Sequence, residues 1–316
     1  MADLRVNIGT LILKNPVMPA SGCFAYEYEQ ALDLSRLGAL VTKSVTPKSR
    51  IGNPVPRVCE TPAGMLNSIG LPSHGQRYFL EEIAPHYSAV SAPLVASVSA
   101  DTAEEFGMAC EVFSAPGIAA IEANISCPNL EADGRAFAMS ATDTHAALHA
   151  MKKRTRLPIW AKLTPNVTDI AEIARAAEDA GADALVVANT FLAMAIDPET
   201  RKPRLGNVMG GLSGPAVRPL IVRMVFQCHR AVKIPVIGCG GIVTAEDAVE
   251  HLLAGATAVQ VGTASFLDPA AMVRIIEGLE AYCGRHGVAR IAELIGAVSI
   301  DPGITDRWLR LAQQSG

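Results

Sequence analysis

A helical pattern that stops at a glycine and gives way at once to a short apolar run occurs three times: Leu37-Gly38-Ala39-Leu40-Val41-Thr42-Lys43, Ala180-Gly181-Ala182-Asp183-Ala184-Leu185-Val186-Val187 and Ala254-Gly255-Ala256-Thr257-Ala258-Val259-Gln260-Val261. The glycine suits the left-handed position that ends a helix, and a continuously apolar run suits a parallel strand covered on both faces. Further runs at Val17–Ala20, Leu94–Val98, Ile118–Ile125, Pro158–Leu163 and Pro235–Cys239 bring the candidate strands to eight. Eight strands alternating with helices point to an α/β fold, a (β/α)8 TIM barrel, whose usual size is about 250 residues. A doubly wound sheet is the alternative. Leu4 to Lys14 is predicted to form an N-terminal β-hairpin that plugs the barrel bottom, with Asn15-Pro16 leading into the first strand. The connections from Lys43 to Pro93 and from Asn189 to Ile234 are too long for plain βα units. As long insertions over the C-terminal face, they are candidates for function.

Residues 1–316 are read as a single barrel domain, and a hydrophobic fraction of 50% can fill its core. The seven cysteines are odd in number and scattered, with no C-x-x-C pair, which argues against a disulfide framework, a structural zinc or an iron–sulfur cluster carried by this chain. No His/Cys/carboxylate spacing suggests a metal site. The first residues have neither the shape of a signal peptide nor the length of a membrane span, so a cytoplasmic protein is expected. A net charge of -4 without a basic run, and an aromatic content of 5%, offer nothing to nucleic acid.

In such a barrel the chemistry lies at the C-terminal strand ends. Those positions carry Ser21, Lys43, Ser97, Asn124, Lys162, Asn189, Gly240 and Gly262, small polar groups and two lysines converging as an anion-binding pocket would require. Gly240-Gly241 and Gly262-Thr263 stand at the last two strand ends, the usual phosphate site of these barrels. Tight βα turns would explain either pair alone as well, but the two together at adjacent strand ends favour a phosphate cradle. Lys43 and Lys162 each follow a nearly apolar strand, as barrel-rim lysines or as charges beside a bound anion. Lys48, Arg50, Arg57, Arg201 and Lys202 sit in the insertions and are expected to be solvated or partner-facing. His74 and His86 are read as surface groups.

The sharpest cluster is Asn124-Ile125-Ser126-Cys127-Pro128-Asn129. Burial as a small hydrophobe suits Cys110, Cys228 and Cys239. Cys127 lies instead in a polar loop, followed by a segment, Asn129 to Met139, that reads as a lid. A thiol can act as a base where neighbouring donors stabilise its thiolate.

At these residues the chain resembles the cytosolic class of dihydroorotate dehydrogenases over nearly its whole length. The matching segments are Asn15–Gly22, Val41–Thr46, Gly52–Pro54, Gly64–Leu71, Asn124–Asn129, Gly210–Pro215 and Gly240–Ile242. Asp33-Leu34-Ser35 and the stretch 197–215 look most like the NAD-linked type 1B catalytic subunit. The resemblance implies FMN-dependent oxidation of dihydroorotate to orotate in pyrimidine synthesis. Cys127 matches the base that removes the C5 proton while hydride leaves C6 for the flavin N5. Lys43 matches a residue touching both flavin and substrate. Asn67, Ser68, Ile69, Gly70, Leu71, Asn124, Asn129, Asn189 and Thr190 match the substrate pocket, and Ser21, Ser44, Ser97, Asn124, Lys162, Ala188, Gly214, Gly240, Gly241, Gly262 and Thr263 match flavin contacts. Lys162 would stabilise the negative charge of the reduced flavin. The same resemblance implies a homodimer core and, for the 1B form, a separate electron-transfer subunit with FAD and a 2Fe-2S cluster.

Pro72-Ser73 looks like the fumarate-using 1A form, and Ser97 stands where Asn is common; both bear on the electron acceptor. A dihydropyrimidine (uracil) dehydrogenase would share the barrel and the cysteine without a pocket for the C6 carboxylate. A phosphosugar aldolase or isomerase with Lys162 as Schiff base, and a barrel serving only as a scaffold, are the remaining alternatives.

Overall fold

The computed structural model describes residues 2–127, 136–301 and 303–304. Its strands are β1 (Val6–Ile8), β2 (Leu11–Leu13), β3 (Val17–Pro19), β4 (Leu40–Val41), β5 (Val58–Thr61), β6 (Gly64–Asn67), β7 (Leu94–Val98), β8 (Ile118–Asn124), β9 (Ile159–Lys162), β10 (Ala184–Val187), β11 (Phe191–Met194), β12 (Ile196–Asp197), β13 (Lys202–Pro203), β14 (Met209–Ser213), β15 (Val236–Cys239) and β16 (Ala256–Val261). Eight of them form one parallel sheet in the order β3-β16-β15-β10-β9-β8-β7-β4. These are the eight apolar runs of the sequence. The sheet curls until its edges meet, and the Gly38 N–H donates to the Val17 carbonyl at 2.8 Å where β4 begins beside β3. The fold is a (β/α)8 barrel.

Its strands hold because both faces are buried. β7, β9, β10 and β15 have no exposed residue, and the helices Ala103–Phe113, Ala141–Lys152, Ile170–Asp179, Arg218–Ala231, Ala245–Leu253 and Ala271–His286 cover their outer side. Side-chain caps start several of these helices: Thr102, Ser140 and Asp169 each accept a backbone N–H, and Thr244 with Asp247 forms a capping box. Trp160, Phe106, Phe113 and Met18 are among the largest side chains fully removed from water.

The predicted hairpin is β1 with β2, paired Val6 to Leu13 through Ile8 to Leu11. Ile8 and Leu13 are wholly buried, and Gly9 at its turn lies against Asp183, just ahead of β10, so the hairpin packs at the N-terminal end of the barrel.

The two long insertions are not independent loops. Strands β5 and β6 from the first, and β11 and β14 from the second, build one antiparallel sheet in the order β11-β14-β6-β5. The insertions leave the C-terminal ends of β4 and β10, so this sheet stands on the face where the candidate site lies. Arg50 and Arg57 depart from the solvated role read from the sequence. Arg50 is ion-paired with Asp101, and Arg57 donates to the Asn53 and Ile51 carbonyls. Both guanidiniums staple the first insertion. Among the described residues no helix is long and apolar enough to cross a membrane.

Candidate active site

Strand register brings the polar strand-end residues together. In the β7/β8 ladder Ser97 lies beside Glu122, and in the β8/β9 ladder Asn124 lies beside Lys162. Side chains at these positions point into the barrel, where they meet in a continuous network. Lys162 Nζ donates to Gln260 Oε1 at 3.2 Å, and Gln260 Nε2 donates to Glu122 Oε2 at 2.6 Å. Ser97 Oγ donates to Glu122 Oε1 at 3.0 Å and lies 2.9 Å from Ser44 Oγ. Asn124 Nδ2 donates to Ser44 Oγ at 2.8 Å, Ser126 Oγ to Asn124 Oδ1 at 3.0 Å, and Asn189 Nδ2 to Ser126 Oγ at 2.9 Å. The Thr190 N–H donates to Asn189 Oδ1 at 2.8 Å. Buried polar groups are tolerated when satisfied, and a satisfied network fixes each member's orientation.

Ser44, Ser97, Asn124, Lys162, Asn189 and Thr190 are thus in one constellation. Ser126, inside the cluster singled out in the sequence but given no role there, belongs to it as well, and so do Glu122 and Gln260, which were missed in the sequence. The signal was present: Glu122 interrupts the run Ile118-Ala119-Ala120-Ile121 and Gln260 interrupts Ala258-Val259-Val261, although charged and amide side chains in a strand buried on both faces need a partner.

Lys43 lies at the same mouth, half-buried. Burial pulls its ammonium down from the usual lysine range, and the charge of nearby Cys127 pulls it back up. It has no side-chain hydrogen bond or ion pair among the described residues. Cys127 itself is buried, three residues past the end of β8. Lys162 is almost fully enclosed. Burial pulls it down, but Cys239, Glu122 and Cys23 together outweigh that, so it stays above the usual range.

The segment Asn67–Leu71 forms one wall. Asn67 closes β6 and donates to the Gly211 carbonyl of β14 at 3.4 Å, while Ser68 Oγ accepts from Asn53 Nδ2 at 2.8 Å. The Asn53 N–H donates to the Ile69 carbonyl at 3.1 Å. Gly70 has φ +77°, and a Cβ there would meet Asn53 at 2.5 Å; Leu71, with φ +50°, holds the left-handed region without that freedom. A turn this constrained by Asn53 presents its residues rigidly.

The last two strand ends form the opposite wall. Gly240 and Gly241 have φ +145° and +76°, and a Cβ on Gly241 would meet Arg218 Cβ at 2.5 Å. The backbone N–H groups of Gly241 and Thr263 have no acceptor among the described residues. Thr263 Oγ1 donates to Ser213 Oγ at 2.8 Å, tying Gly262-Thr263 to Gly214, and Gly262 lies against Ala20 and Cys23, next to Ser21. Ala188 is buried and its N–H donates to the Cys239 carbonyl at 3.0 Å. Behind the wall, His251 Nε2 lies 3.2 Å from the Gly240 carbonyl, which can only accept, so Nε2 carries the proton.

Asn129 and the greater part of the predicted lid lie outside the described residues; its end, Phe137–Met139, is a short helical turn tied down by the Ala138 N–H on the Ile125 carbonyl at 2.9 Å. A cleft of about 650 Å³ adjoins Lys43 and Ser44, walled by Phe24, Tyr26, Tyr78 and Tyr87. His86 stacks on Tyr26 at 4.1 Å beside it, and His74 packs on Tyr78. Cys110, Cys228 and Cys239 are buried, as read from the sequence.

The sequence profile of the dihydroorotate dehydrogenase family matches residues 3–283. Proteins named dihydroorotate dehydrogenase B (NAD(+)), catalytic subunit, are similar along their whole length. That of Desulforamulus reducens is 51% identical over 301 residues, 94% of this chain and 99% of its own. That of Bacteroides thetaiotaomicron is 47% identical over 303 residues, covering 95% and 100%. The crystal structure of a dihydroorotate dehydrogenase from Eimeria tenella, in complex with ferulenol, superposes with a TM-score of 0.78 at 22% identity, covering 93% of this chain and 88% of that one, and supports the barrel fold. With a strand-end polar constellation on a (β/α)8 barrel, a profile match over most of its length and full-length relatives at about half identity, the chain belongs to the dihydroorotate dehydrogenase family.

Proposed function

We propose that the protein oxidises dihydroorotate to orotate in pyrimidine synthesis as the catalytic subunit of an NAD-linked enzyme, with Cys127 as the base and FMN as the bound electron acceptor. The observation that carries the reading is the electrostatic coupling of Cys127 with the Lys43 ammonium at the mouth of a buried, hydrogen-bonded polar network.

The residues fit a flavin mononucleotide. Its phosphate suits the wall made by Gly240, Gly241, Gly262 and Thr263, where backbone N–H groups stand without acceptors. Ser21, Ser44, Ser97, Asn124, Lys162, Ala188 and Gly214 would hold the ring and its chain. Bound there, the flavin supplies the two-electron acceptor for the hydride leaving C6 of the substrate. Lys162 would place a fixed positive charge where negative charge gathers on reduction.

The remaining steps belong to side chains. Asn67 to Leu71, Asn124, Asn189 and Thr190, and Asn129 outside the described residues, would orient a planar ring bearing several carbonyl and N–H groups, which suits amide partners such as Asn124 and Asn189 whose direction is already fixed. Lys43 offers its ammonium to the substrate carboxylate. The electrostatic coupling is mutual, so the same ammonium favours the thiolate of Cys127, which takes the C5 proton. The burial of Cys127 would keep water from the thiolate and from the reacting carbon.

The amide-rich wall and Lys43 favour a substrate with a carboxylate over uracil-type substrates. Electrons would pass to NAD+ through a partner subunit carrying FAD and a 2Fe-2S cluster, on a homodimeric, cytoplasmic core. Among the described residues no cluster of ligating side chains could hold a metal ion.

The test is an anaerobic titration with dihydroorotate, following the flavin absorbance in wild type and Cys127→Ala. Bleaching in the wild type that slows by roughly a hundredfold or more in the variant is expected. A colourless protein, or flavin reduced by dihydrouracil but not by dihydroorotate, overturns the reading.

A further inference from the structure

Every donor in the buried network has a direction that can be worked out, and all of them lead to one group. Ser97 Oγ donates to Glu122, so in the Ser44–Ser97 contact the hydrogen must come from Ser44. Asn124 donates to Ser44, Ser126 to Asn124, Asn189 to Ser126, and the Thr190 N–H to Asn189. From the other side Lys162 donates to Gln260 and Gln260 to Glu122. Two chains of donors therefore end on the two oxygens of a single carboxylate that is completely out of water. Glu122 is attached to no residue predicted to touch substrate except through these chains, and Lys162 Nζ stands 3.9 Å from its Oε1.

We infer that Glu122, with Gln260 as its relay, is a positioning residue: it keeps Lys162 in its charged form and aims its ammonium at the flavin, and it sets the direction of the amides at Asn124 and Asn189. This deepens the flavin reading and rests on it. The groups facing Lys162 are Glu122 from β8, Gln260 from β16, Cys239 from β15 and Cys23 from the loop after β3. Burial pushes the Cys23 thiol up to about 12 and raises Cys239 as well, so at neutral pH both are uncharged thiols. That leaves the Glu122 carboxylate, both of whose oxygens only accept in the network. Without it only the Gln260 carbonyl and two thiols face the ammonium, too little to offset desolvation, and the lysine is expected to lose its proton.

The consequence is a change in proton count. With Lys162 charged throughout, two-electron reduction of the bound flavin to its monoanion takes up one proton. In Glu122→Gln the neutral lysine acquires a second proton as the anion forms. One proton per two electrons shifts the midpoint potential by about 30 mV per pH unit, and two protons by about 60 mV. The measurement is the midpoint potential of FMN-loaded protein from pH 7 to 9, in dithionite titrations of wild type, Glu122→Gln and Glu122→Gln/Lys162→Met. The single variant is expected to double the wild-type slope, and the double variant to return to it. An unchanged slope in flavin-loaded Glu122→Gln overturns the inference.

A thermal cycle on the flavin-free chain covers the case in which the single variant loads poorly. Glu122→Gln forces the enclosed lysine to give up its proton on folding and is expected to lower Tm by roughly 6 to 10 °C, with most of that loss recovered when Lys162→Met is added. Additive losses in the cycle overturn the pairing. A colourless wild type with a non-additive cycle overturns the flavin reading and leaves the pair intact.

Discussion

Acid should weaken this barrel through one histidine behind the glycine wall. His251 is fully buried, its Nε2–H is committed to the Gly240 carbonyl, and its Nδ1 has no hydrogen-bond partner among the described residues. A second proton would have to sit on Nδ1, which lies 2.4 Å from where a Cβ on Gly238 would be. Burial is the main reason that its pKa drops from 6.5 to about 4, with the Gly240 carbonyl and Asp247 opposing it only in part. As pH falls, the unfolded chain takes up this proton near 6.5 and the folded one only near 4. The unfolded state therefore holds more protons inside that window, and stability falls as pH falls through it. Linkage gives a loss of about 2 kcal/mol between pH 7 and pH 5, and roughly 3 kcal/mol once both forms are protonated. Glutamine can donate to Gly240 from the same place and does not titrate, so His251→Gln isolates the effect. Urea unfolding followed by circular dichroism at pH 7, 6 and 5 should show the wild type losing about 2 kcal/mol more than the variant over that range. Parallel pH curves for the two proteins would refute the reasoning.

Two further outcomes follow from the walls of the site. Gly241→Ala places a Cβ against Arg218 at a φ of +76°, and the shift it forces should reduce FMN affinity at least tenfold, read by flavin fluorescence on reconstitution, while the barrel still folds by circular dichroism. Ser97→Ala removes the link between Ser44 and Glu122 and leaves two buried partners short of a bond, so it should cost about 1 to 3 kcal/mol in urea unfolding; a neutral result would mean that the network is not closed as described.

The barrel was legible because its signal is local. A strand such as Leu94–Val98, buried on both faces, must be apolar along its whole length, and a helix that ends on Gly181 or Gly255 marks where the next one starts. The strand ends could then be read by position, which found Lys43, Asn124, Lys162, Asn189 and the glycine pairs. The sheet over the site was not legible, since Val58–Thr61 and Phe191–Met194 alternate between half-buried and exposed, and the pairing that joins the two insertions, β6 with β14, links segments far apart in the chain. Asn67 and Gly211, for example, are 144 residues apart. Glu122 and Gln260 escaped for a different reason: each is a single polar residue inside an apolar run, and only the register reveals that they face one another across the barrel interior. Arg50 and Arg57 looked solvated because a guanidinium in a polar insertion says nothing of a carbonyl or carboxylate contributed from elsewhere.

The sheet that joins the two insertions determines what would happen if the barrel were divided. Cut between β8 and β9, the first half would carry Asn67 on β6 and the second half Gly211 on β14, each with an open edge of unpaired N–H and C=O groups where the other belongs. Neither fragment would own a complete substrate wall, although each would keep four barrel strands. Expressed together, the halves would have to rejoin along that antiparallel seam as well as at the two parallel seams of the barrel, and recovery of dihydroorotate oxidation would report on the joint closure of barrel and wall.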